Sequence, residues 1–527
     1  MGWRQQGIGA MCARVLLVAA LAVWSLAATA RVRAVADAST PDDPPANPIV
    51  IENQLPGTDA WRIGLPGSGS LVADDAAGQI KGYASATSVD RGDQISFFVS
   101  VNPAQSYTVE VYRLGWYGGA GGRLVVSFPA RYGSPQPACP LEPTTGLIEC
   151  AWAPAMTFTV PSTWTTGAYV AILTNAAGYH NYLQFVVRDD ARVAPFVYQL
   201  PFLTYQAYNL YPNDRLTGKS LYASVSAGAP TVGGSRAAVK VSFDRPFWGH
   251  GLAADFVRFD VPTIAWLEEM GYDVTYASSL DLHGALTRLT QHQAFISGGH
   301  DEYWTRPMYD HAVALRDRGV HLAFFGSNAV YWQVRLEPST AGVPDRVVVC
   351  YRDAAIDPIE DESLQTVRWR DAPLLRPEQQ LVGIQFASII RETTAYVVQA
   401  ERHWIYDGTA VANGDRIAGL VAGEGDRFFA DVTPPPAVEH VLLGASPFMN
   451  TYGGPDQANA SLYRTAGGAM VFAAGTLNWG PALGSPTMAD ARVQRMTQNL
   501  LNQFLLETAA PRPCERSARL PRCVDAR

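Results

Sequence analysis

The chain has no excess of positive charge. Its 40 Lys and Arg residues are outnumbered by 48 Asp and Glu residues, which gives a formal net charge of -8. Nucleic-acid-binding surfaces need Lys and Arg clustered on one face or along one helix. The sequence therefore predicts no nucleic-acid partner, and its 48% hydrophobic content predicts a large buried core instead.

Long hydrophobic runs are also scarce. The apolar run Val15–Ala28 follows Arg4 and Arg14 and precedes the small-residue site Ala28-Thr29-Ala30. This pattern is typical of a cleavable signal peptide over residues 1–30, and the run is shorter than the ~20 residues of a spanning helix. A single membrane anchor is the alternative. We expect a secreted or periplasmic protein without a stable membrane span after cleavage.

Cysteine is rare, with six residues in 527. Cys139 and Cys150 lie close together in sequence, as do Cys514 and Cys523. Such spacing indicates two local disulfides formed in an oxidising compartment, with free thiols as the alternative. Cys350 lies alone in the apolar run VVVCY and is predicted to be a buried thiol.

The length suits two or three domains. Residues 31–48 are proline-rich and predict a linker, and residues 508–527 form a tail. Residues 49–193 alternate apolar and polar positions between turn residues, which predicts an all-β sandwich. Residues 194–507 alternate strand and helix patterns, which predicts an α/β domain with a parallel sheet and helices on both faces.

One loop of the α/β domain carries reactive side chains. The strand QAFIS leads into residues 298–304, GGHDEYW, and a helix over 306–318 follows, with Thr305 as its N-cap. Ligands of open α/β sheets bind at the carboxyl ends of such strands. The loop has no Cys or Ser, so an acyl-transferring nucleophile on an elbow is not expected here.

His300 and Glu302 are two residues apart, so in extended backbone their side chains point the same way. A hard cation with oxygen ligands fits this pattern. The alternative is structural: Glu302 caps the next helix and His300 is a core residue. Upstream, residues 203–224 hold four tyrosines, and a phenolate is a hard ligand suited to a trivalent ion such as Fe(III).

Several motifs together resemble the large (β) subunit family of N,N-dimethylformamidase, over roughly residues 75–507. They are YRLGWYGGAGGRLV, TYQAYN, GKSLY, VSFDRPF, GGHDEYW, FFGSNAVYWQVR and VFAAGTLNW. The resemblance implies a class I amidotransferase-like α/β domain that hydrolyses an amide C–N bond. It also implies one non-haem Fe(III) per chain, held by two tyrosines and one glutamate, with a histidine beside them.

Carried onto this sequence, the resemblance implies Tyr208, Tyr222 and Glu302 as metal ligands and His300 as their neighbour. Tyr205 is the alternative to Tyr208. Asn328, at the end of the strand FFGSN, is expected to orient the substrate, or else to be a turn residue. The segment LYPNDRLT departs from the shorter connection common in the family, next to these residues.

The resemblance implies a small amide or other small-molecule substrate. It leaves a homo-oligomer open, and no small partner subunit is evident in the sequence. One rival interpretation is an exported carbohydrate-active or glycan-binding protein, in which Glu302 pairs with Asp301 or Asp244 as acid and base. Another is a zinc hydrolase that uses His300 with other histidines (His250, His283 or His292), although no HExxH motif is present.

Two further stretches have structural interpretations. Asp244 and Arg245 in SFDRPF are expected to pair with each other as ions. The glycine-rich stretch 116–122, WYGGAGG, is expected to be a turn with packed aromatics, with a sugar-binding lip as the alternative.

Overall fold

The computed structural model describes residues 46–507 apart from Pro66 and Ala285. The predicted signal peptide, most of the predicted linker, and Cys12, Cys514 and Cys523 lie outside the described residues. Within the described part of the chain, no helix has the length and apolarity needed to cross a membrane.

The fold is mixed α/β, with many short strands and few helices. The strands are β1 (Leu71–Val72), β2 (Ile80–Ala84), β3 (Ser88–Asp90), β4 (Gln94–Val101), β5 (Gln105–Leu114), β6 (Gly122–Gly133), β7 (Met156–Thr159), β8 (Gly167–Asn175), β9 (Tyr179–Arg188), β10 (Phe196–Leu200), β11 (Lys240–Ser242), β12 (Val274–Ser278), β13 (Ala294–Ser297), β14 (Tyr303–Thr305), β15 (His321–Phe324), β16 (Trp332–Glu337), β17 (Val347–Val349), β18 (Gln385–Ile389), β19 (Thr394–Val397), β20 (Arg416–Val421), β21 (Glu424–Arg427), β22 (Ala437–Met449), β23 (Pro455–Thr465) and β24 (Met470–Ala473). The helices are α1 (Pro48–Asn53), α2 (Phe202–Tyr208), α3 (Val261–Glu269), α4 (Ser279–Gly284), α5 (Leu286–Leu289), α6 (Arg306–Asp317), α7 (Gln379–Val382), α8 (Trp479–Gly484) and α9 (Ala491–Leu506), and a π-helical turn (Phe256–Asp260) precedes α3.

The first nine strands form two sheets with a common core. One sheet has the order β1-β9-β8-β5-β6, with β3 also paired to β9, and the other has the order β2-β4-β7. Apolar side chains of both sheets, such as Phe97 on β4 and Phe185 on β9, belong to one buried cluster. The alternating strands predicted for this part of the chain are therefore present.

A seven-stranded sheet forms the centre of the second half, with the order β12-β10-β13-β15-β24-β23-β22. The first five strands pair in parallel, whereas β23 and β22 are antiparallel additions. The parallel strands are buried along almost their whole length, as expected for a sheet covered on both faces. The carboxyl ends of β10, β13 and β15 thus meet at one edge.

Helix α6 begins and ends where its sequence signals predict. The Thr305 hydroxyl accepts a hydrogen bond from the backbone N–H of Met308, and Pro307 occupies the first turn. Gly319 follows the helix with a φ of 88°, a left-handed conformation that favours glycine. Because Thr305 caps this helix, the alternative in which Glu302 is the cap is wrong.

A second, four-stranded sheet has the order β11-β17-β16-β14. Its edge strand β14 contains Tyr303 and Trp304, which the sequence placed on a loop. The loop after β13 therefore ends at Glu302, and β14 pairs in parallel with β16. This short loop connects two sheets, so both sheets fix the position of its side chains.

Contacts between the early strands and α3 support the structural interpretation of the glycine-rich stretch 116–122. Arg113 and Glu268 form a fully buried ion pair at 2.7 Å. Arg113 also donates to the hydroxyl of Tyr117, which in turn donates to Glu52. Residues 47–507 belong to one compact unit, and the domain boundary between 193 and 194 stays a prediction.

The cysteines of the described region agree with the sequence. Cys139 and Cys150 form the predicted disulfide, and Cys350 is a buried free thiol. Burial raises the pKa of Cys350 to about 12, so it is an unreactive thiol rather than a nucleophile.

Candidate functional site

Two glycines allow the loop after β13 to turn close to neighbouring groups. A Cβ atom at Gly298 would overlap the carboxylate of Asp260 and the hydroxyl of Tyr198. Gly299 has a φ of 39°, in the left-handed region. The loop therefore turns directly at the end of the sheet and presents the next three side chains to that edge.

Thr204 on α2 anchors the far end of this loop. Its hydroxyl oxygen accepts hydrogen bonds from the backbone N–H groups of Glu302, at 3.0 Å, and Tyr303, at 3.2 Å. Glu302 is only 1% exposed. The anchor places the Glu302 carboxylate beside the end of α2, where Tyr208 is the last helical residue.

Glu302 accepts hydrogen bonds from two phenols, one on each oxygen. The Tyr208 hydroxyl lies 2.8 Å from Oε2, and the Tyr222 hydroxyl donates to Oε1. The two tyrosine rings stack with their centroids 4.7 Å apart and their planes 22° apart. Three groups that can each carry a negative charge, two phenols and one carboxylate, thus meet at one point.

Tyr205 lies elsewhere. Its hydroxyl donates to Asp260 Oδ2 at 2.6 Å, and the Tyr198 hydroxyl donates to the other carboxylate oxygen at 2.7 Å. Burial raises the pKa of Asp260 to about 7, against the two phenol hydrogen bonds. Of the two candidate tyrosines of TYQAYN, the structure brings Tyr208 to Glu302.

His300 stands beside this cluster, as the two-residue spacing predicts. Its Nε2 atom is 3.2 Å from Glu302 Oε2 and 3.3 Å from the Tyr208 hydroxyl, and its Nδ1 atom is 3.2 Å from the carbonyl oxygen of Ser327. A proton on Nδ1 would donate to that carbonyl and fix the ring. Burial disfavours the charged imidazole, but the carboxylates of Glu424 and Glu302 hold the pKa of His300 well above its ordinary value.

Glu424, the first residue of β21, is a site residue that the sequence did not reveal. Its Oε2 atom is 3.7 Å from His300 Nε2 and has no hydrogen-bond partner within the described residues. Burial raises the pKa of Glu424 to about 7, although the charge of His300 lowers it. The carboxylate can therefore change its protonation state near neutral pH, next to an imidazole.

Asn328 is near these groups. It follows β15 with a φ of 53°, and its backbone N–H donates to Asp426 at 2.8 Å. The Asn328 side chain lowers the pKa of Glu424 and so offsets part of the rise that burial causes. The structure thus brings Asn328 to the edge occupied by His300, and its role in orienting substrate stays a prediction.

A cavity of about 290 Å³ opens beside His300 and Tyr208. One part of its wall is apolar, formed by Phe247, Ala253, Ala254, Phe259 and Leu477, with Trp248 at its edge. The polar part of the wall is formed by Tyr205, Tyr208, Asn209, Asp255, Arg258, His300 and Glu424. An apolar wall facing a few convergent polar groups is the usual form of a small-molecule site.

Tyr222 forms the solvent edge of the cluster and is 44% exposed. The indole N–H of Trp332 donates to its hydroxyl at 3.3 Å, and the Arg352 guanidinium lies 5.1 Å from its ring centroid. Burial and the charge of Glu302 raise the pKa of both site phenols far above the ordinary value. Both phenols are therefore protonated donors to Glu302 unless a cation offsets the three negative charges.

The histidines of the zinc interpretation are not gathered into one group among the described residues. No three His, Cys, Asp or Glu side chains between residues 46 and 507 are placed to hold a metal. The histidines proposed to join His300 have other partners: His250 Nδ1 accepts from Leu252 N–H, His283 contacts Thr305 and His292 contacts the Ala194 carbonyl.

The second carboxylates of the glycan interpretation also have other partners. Asp301 accepts hydrogen bonds from Ser297 and Gln199, each at 2.7 Å. Asp244 pairs with Arg346 at 2.7 Å, so the predicted ion pair between Asp244 and Arg245 is wrong. The fully buried Arg245 donates to backbone carbonyls instead.

Comparison with known proteins identifies the family. Residues 108–493 match the family described as "N,N-dimethylformamidase beta subunit-like, C-terminal". The chain belongs to this family. The N,N-dimethylformamidase beta subunits of Alcaligenes sp. and Paracoccus aminophilus are 27% and 26% identical to it over 290 and 287 residues. Each match covers 48% of this chain but only 37% of the relative's length.

The chain also has a weak similarity to several solved structures. The DNA glycosylase AlkC of Pseudomonas fluorescens, for example, is 14% identical over 21% of this chain and 30% of its own, with a TM-score of 0.14. The family match also crosses the predicted boundary between residues 193 and 194, because it begins within β5.

As a member of the dimethylformamidase beta subunit-like family, the chain confirms the resemblance that its motifs suggested. The four residues carried over from that resemblance form one cluster, in which Tyr208, Tyr222 and His300 each lie within hydrogen-bonding distance of Glu302. Their roles as ligands and ligand neighbour stay predictions. The donor set is three oxygens, which hard cations prefer.

Proposed function

We propose that this protein is an exported, metal-dependent hydrolase of amide C–N bonds. The observation that carries the proposal is the convergence of Tyr208, Tyr222 and Glu302 beside His300, at the edge of a parallel sheet and next to a cavity. Two relatives named N,N-dimethylformamidase beta subunit support the amide bond as the target.

The residues fit one Fe(III) held by Tyr208, Tyr222 and Glu302. Two phenolates and one carboxylate would balance the charge of a trivalent ion. When bound, such an ion supplies Lewis acidity toward an amide carbonyl and makes water more acidic. This chemistry also accounts for three acidic groups placed around one point, which would otherwise repel each other on ionisation.

His300 and Glu424 would handle the proton. The His300 ring is fixed through Nδ1 by the Ser327 carbonyl, which leaves Nε2 facing both Glu302 and Glu424. Because the neighbouring carboxylates raise the pKa of His300, its Nε2 atom would carry a proton, so Glu424 Oε2 would take the proton from the attacking water while His300 Nε2 donates its own to the leaving amine. Glu424 would then return its proton to His300. Asn328, beside Glu424, would orient the amide with its side-chain dipole.

The cavity indicates a small substrate. Its volume of about 290 Å³ lies at the lower end of the range for small-molecule sites. We propose that the amide group faces Tyr208 and His300, while the substituents on its carbon or nitrogen face Phe247, Phe259 and Leu477. Burial of the substituents by these side chains would also exclude bulk water and leave the attacking water in the site.

We also propose that the protein is exported and that it associates with other subunits. The signal-like residues 1–30 and the Cys139–Cys150 disulfide support a periplasmic or secreted enzyme. Because its relatives are named as beta subunits, a partner subunit or a homo-oligomer is proposed as well. Amino-terminal sequencing of protein from fractionated cells tests the first point, and light scattering of the purified protein tests the second.

The test of the main proposal is the iron content of the purified protein together with its hydrolysis of a panel of small amides that includes N,N-dimethylformamide. We expect about one iron per chain and a visible phenolate-to-iron absorption band. Glu302→Gln should lose the metal and at least 100-fold of the activity while remaining folded, because it removes one anionic ligand. A metal-free wild type that cannot be reconstituted, or a variant with wild-type iron and activity, would refute the proposal.

A further inference from the structure

The chain between the two site phenols, residues 209–221, folds back on itself. The Leu221 N–H donates to the Ala207 carbonyl at 2.9 Å, which brings the two ends of the segment together. A Cβ atom at Gly218 would overlap the carbonyl oxygens of Leu210 and Pro212. Two parts of the segment therefore run in close contact, with their carbonyl groups turned inward.

Arg245 lies against those inward-facing carbonyls. Its Nη2 atom donates to the carbonyl oxygen of Asn209 at 2.7 Å, and its Nη1 atom donates to those of Lys219, at 3.1 Å, and Tyr211, at 3.3 Å. These three are all the hydrogen-bond partners of its side chain within the described residues. One guanidinium group thus joins the beginning of the segment to its end.

This arginine is unusual because it is fully buried and has no ion-pair partner within residues 46–507. Burial lowers its pKa to about 9, since only Tyr211 opposes the effect. A buried cation without a carboxylate is costly, and backbone carbonyls compensate for it only partly. Burying Arg245 costs free energy, yet its side chain bonds only to residues 209–219. This points to a need to hold that segment in place.

We propose that Arg245 is a positioning residue that sets the separation and orientation of the Tyr208 and Tyr222 phenols by holding residues 209–219. Asn209 is bonded to Tyr208 through the peptide chain, and Lys219 is three residues before Tyr222. The guanidinium holds its N–H donors in a rigid planar fork, whereas the three donors of a lysine ammonium share one atom at the end of a flexible stem, so a lysine would hold the segment less firmly. Arg245 holds this segment whether or not a metal ion is bound. Only the expected effect on iron binding rests on the proposed function.

A neighbouring arginine provides a matched control. Arg346 is also buried, at 4% exposure, and lines the same small cavity as Arg245. It pairs with Asp244 and donates to the Ala84 carbonyl, and within the described residues its side chain makes no hydrogen bond to residues 209–221. Arg346→Lys therefore perturbs a buried arginine in the same region without releasing the segment.

The experiment compares wild type, Arg245→Lys, Arg245→Gln and Arg346→Lys by hydrogen–deuterium exchange of the metal-free proteins and by titration with ferric ion. In both Arg245 variants, we expect exchange in residues 209–222 to rise about tenfold or more, because bonds to a charged donor are lost. Ferric affinity should fall by a similar factor. Arg346→Lys should leave exchange in that segment and ferric affinity within about twofold of wild type.

Three results would overturn the proposal. They are unchanged exchange of residues 209–222 in Arg245→Lys, equal loosening of the segment in Arg346→Lys, or failure of both Arg245 variants to fold while Arg346→Lys folds. The last result would show a general structural role. If the wild type binds no iron, the metal-dependent function fails, but the exchange measurement still decides the role of Arg245.

Discussion

Replacement of Tyr222 by phenylalanine removes one hydroxyl and keeps most of the surrounding packing. The ring would still stack on Tyr208 at 4.7 Å and lie under the Arg352 guanidinium at 5.1 Å. Only two polar contacts are lost, the donation to Glu302 and the acceptance from Trp332. The substitution therefore separates the role of the phenol oxygen from that of the ring.

The expected loss of stability is small in the metal-free protein. A hydrogen bond to a charged group contributes about 1.5–3 kcal/mol when its loss leaves a buried partner unsatisfied. Glu302 keeps its hydrogen bond from the Tyr208 hydroxyl, so the substitution removes only one of its two phenol donors. We expect a decrease of about 1–2 kcal/mol in the free energy of unfolding, measured by chemical denaturation without metal.

The expected loss of ferric affinity is much larger. Loss of a side chain that only supports a metal ligand weakens binding about 10–100-fold, so loss of a ligand should exceed 100-fold. Titration with ferric ion, followed through the phenolate-to-iron band, measures both affinity and intensity. We expect the intensity per bound iron to fall by about half, because one of two phenolates is gone.

Tyr452→Phe is the matched control, because Tyr452 lies 92% exposed in the turn between β22 and β23, away from the cluster. It should leave the band, the affinity and the stability unchanged. The assignment of Tyr222 as a ligand is refuted if Tyr222→Phe keeps the affinity and band intensity within a factor of two. It is also refuted if both variants lose them equally.

Two further predictions use buried carboxyl groups. Asp260 has a pKa raised from 3.8 to about 7 in the folded protein, so it favours folding when protonated and this stabilisation is lost as pH rises from about 4 through 7. For one such group, the decline in the free energy of unfolding is on the order of 4 kcal/mol. Denaturation of Asp260→Asn between pH 4 and 8 should not show this decline. If the variant keeps the same pH dependence as the wild type, the assignment to Asp260 is wrong. Glu424 has a pKa raised to about 7, so as a proton acceptor it should make amide hydrolysis increase with pH through that range. Glu424→Gln should lower kcat about 100-fold or more, remove this limb of the pH profile and leave iron content intact, and a profile that keeps the limb would argue against Glu424 as the acceptor.

Local signals predicted the surroundings of Glu302 well. The strand before the loop appears as β13 and the helix after it as α6, because the apolar run, the Thr305 cap and Gly319 each act over a few residues. The alternation of His300 and Glu302 also predicted that their side chains would meet. The helix cap, the helix end and the approach of His300 to Glu302 each depend on residues only a few positions apart in the chain.

The predictions that failed depend on contacts between distant segments. Asp244 and Arg245 are adjacent in sequence, yet Asp244 pairs with Arg346, about a hundred residues away, and Arg245 turns to the carbonyls near Tyr208. Tyr303 became part of a strand because β16 pairs with it. Sequence proximity cannot decide such competition, since an ion pair forms with whichever partner the tertiary structure brings near.

Glu424 is the clearest example of a residue whose position depends on distant contacts. In the sequence it is only an acidic residue after an apolar run. Its strand β21 belongs to a two-stranded sheet with β18, and Gly425 forms a bridge to Thr476, just beyond the end of β24. That bridge brings Glu424 to the sheet edge where His300 and Asn328 stand. The chemistry is thus divided between a loop whose shape is encoded locally and a carboxylate delivered by another sheet. A family resemblance carried by short motifs therefore recovers the proposed ligands more readily than the group proposed to take the proton.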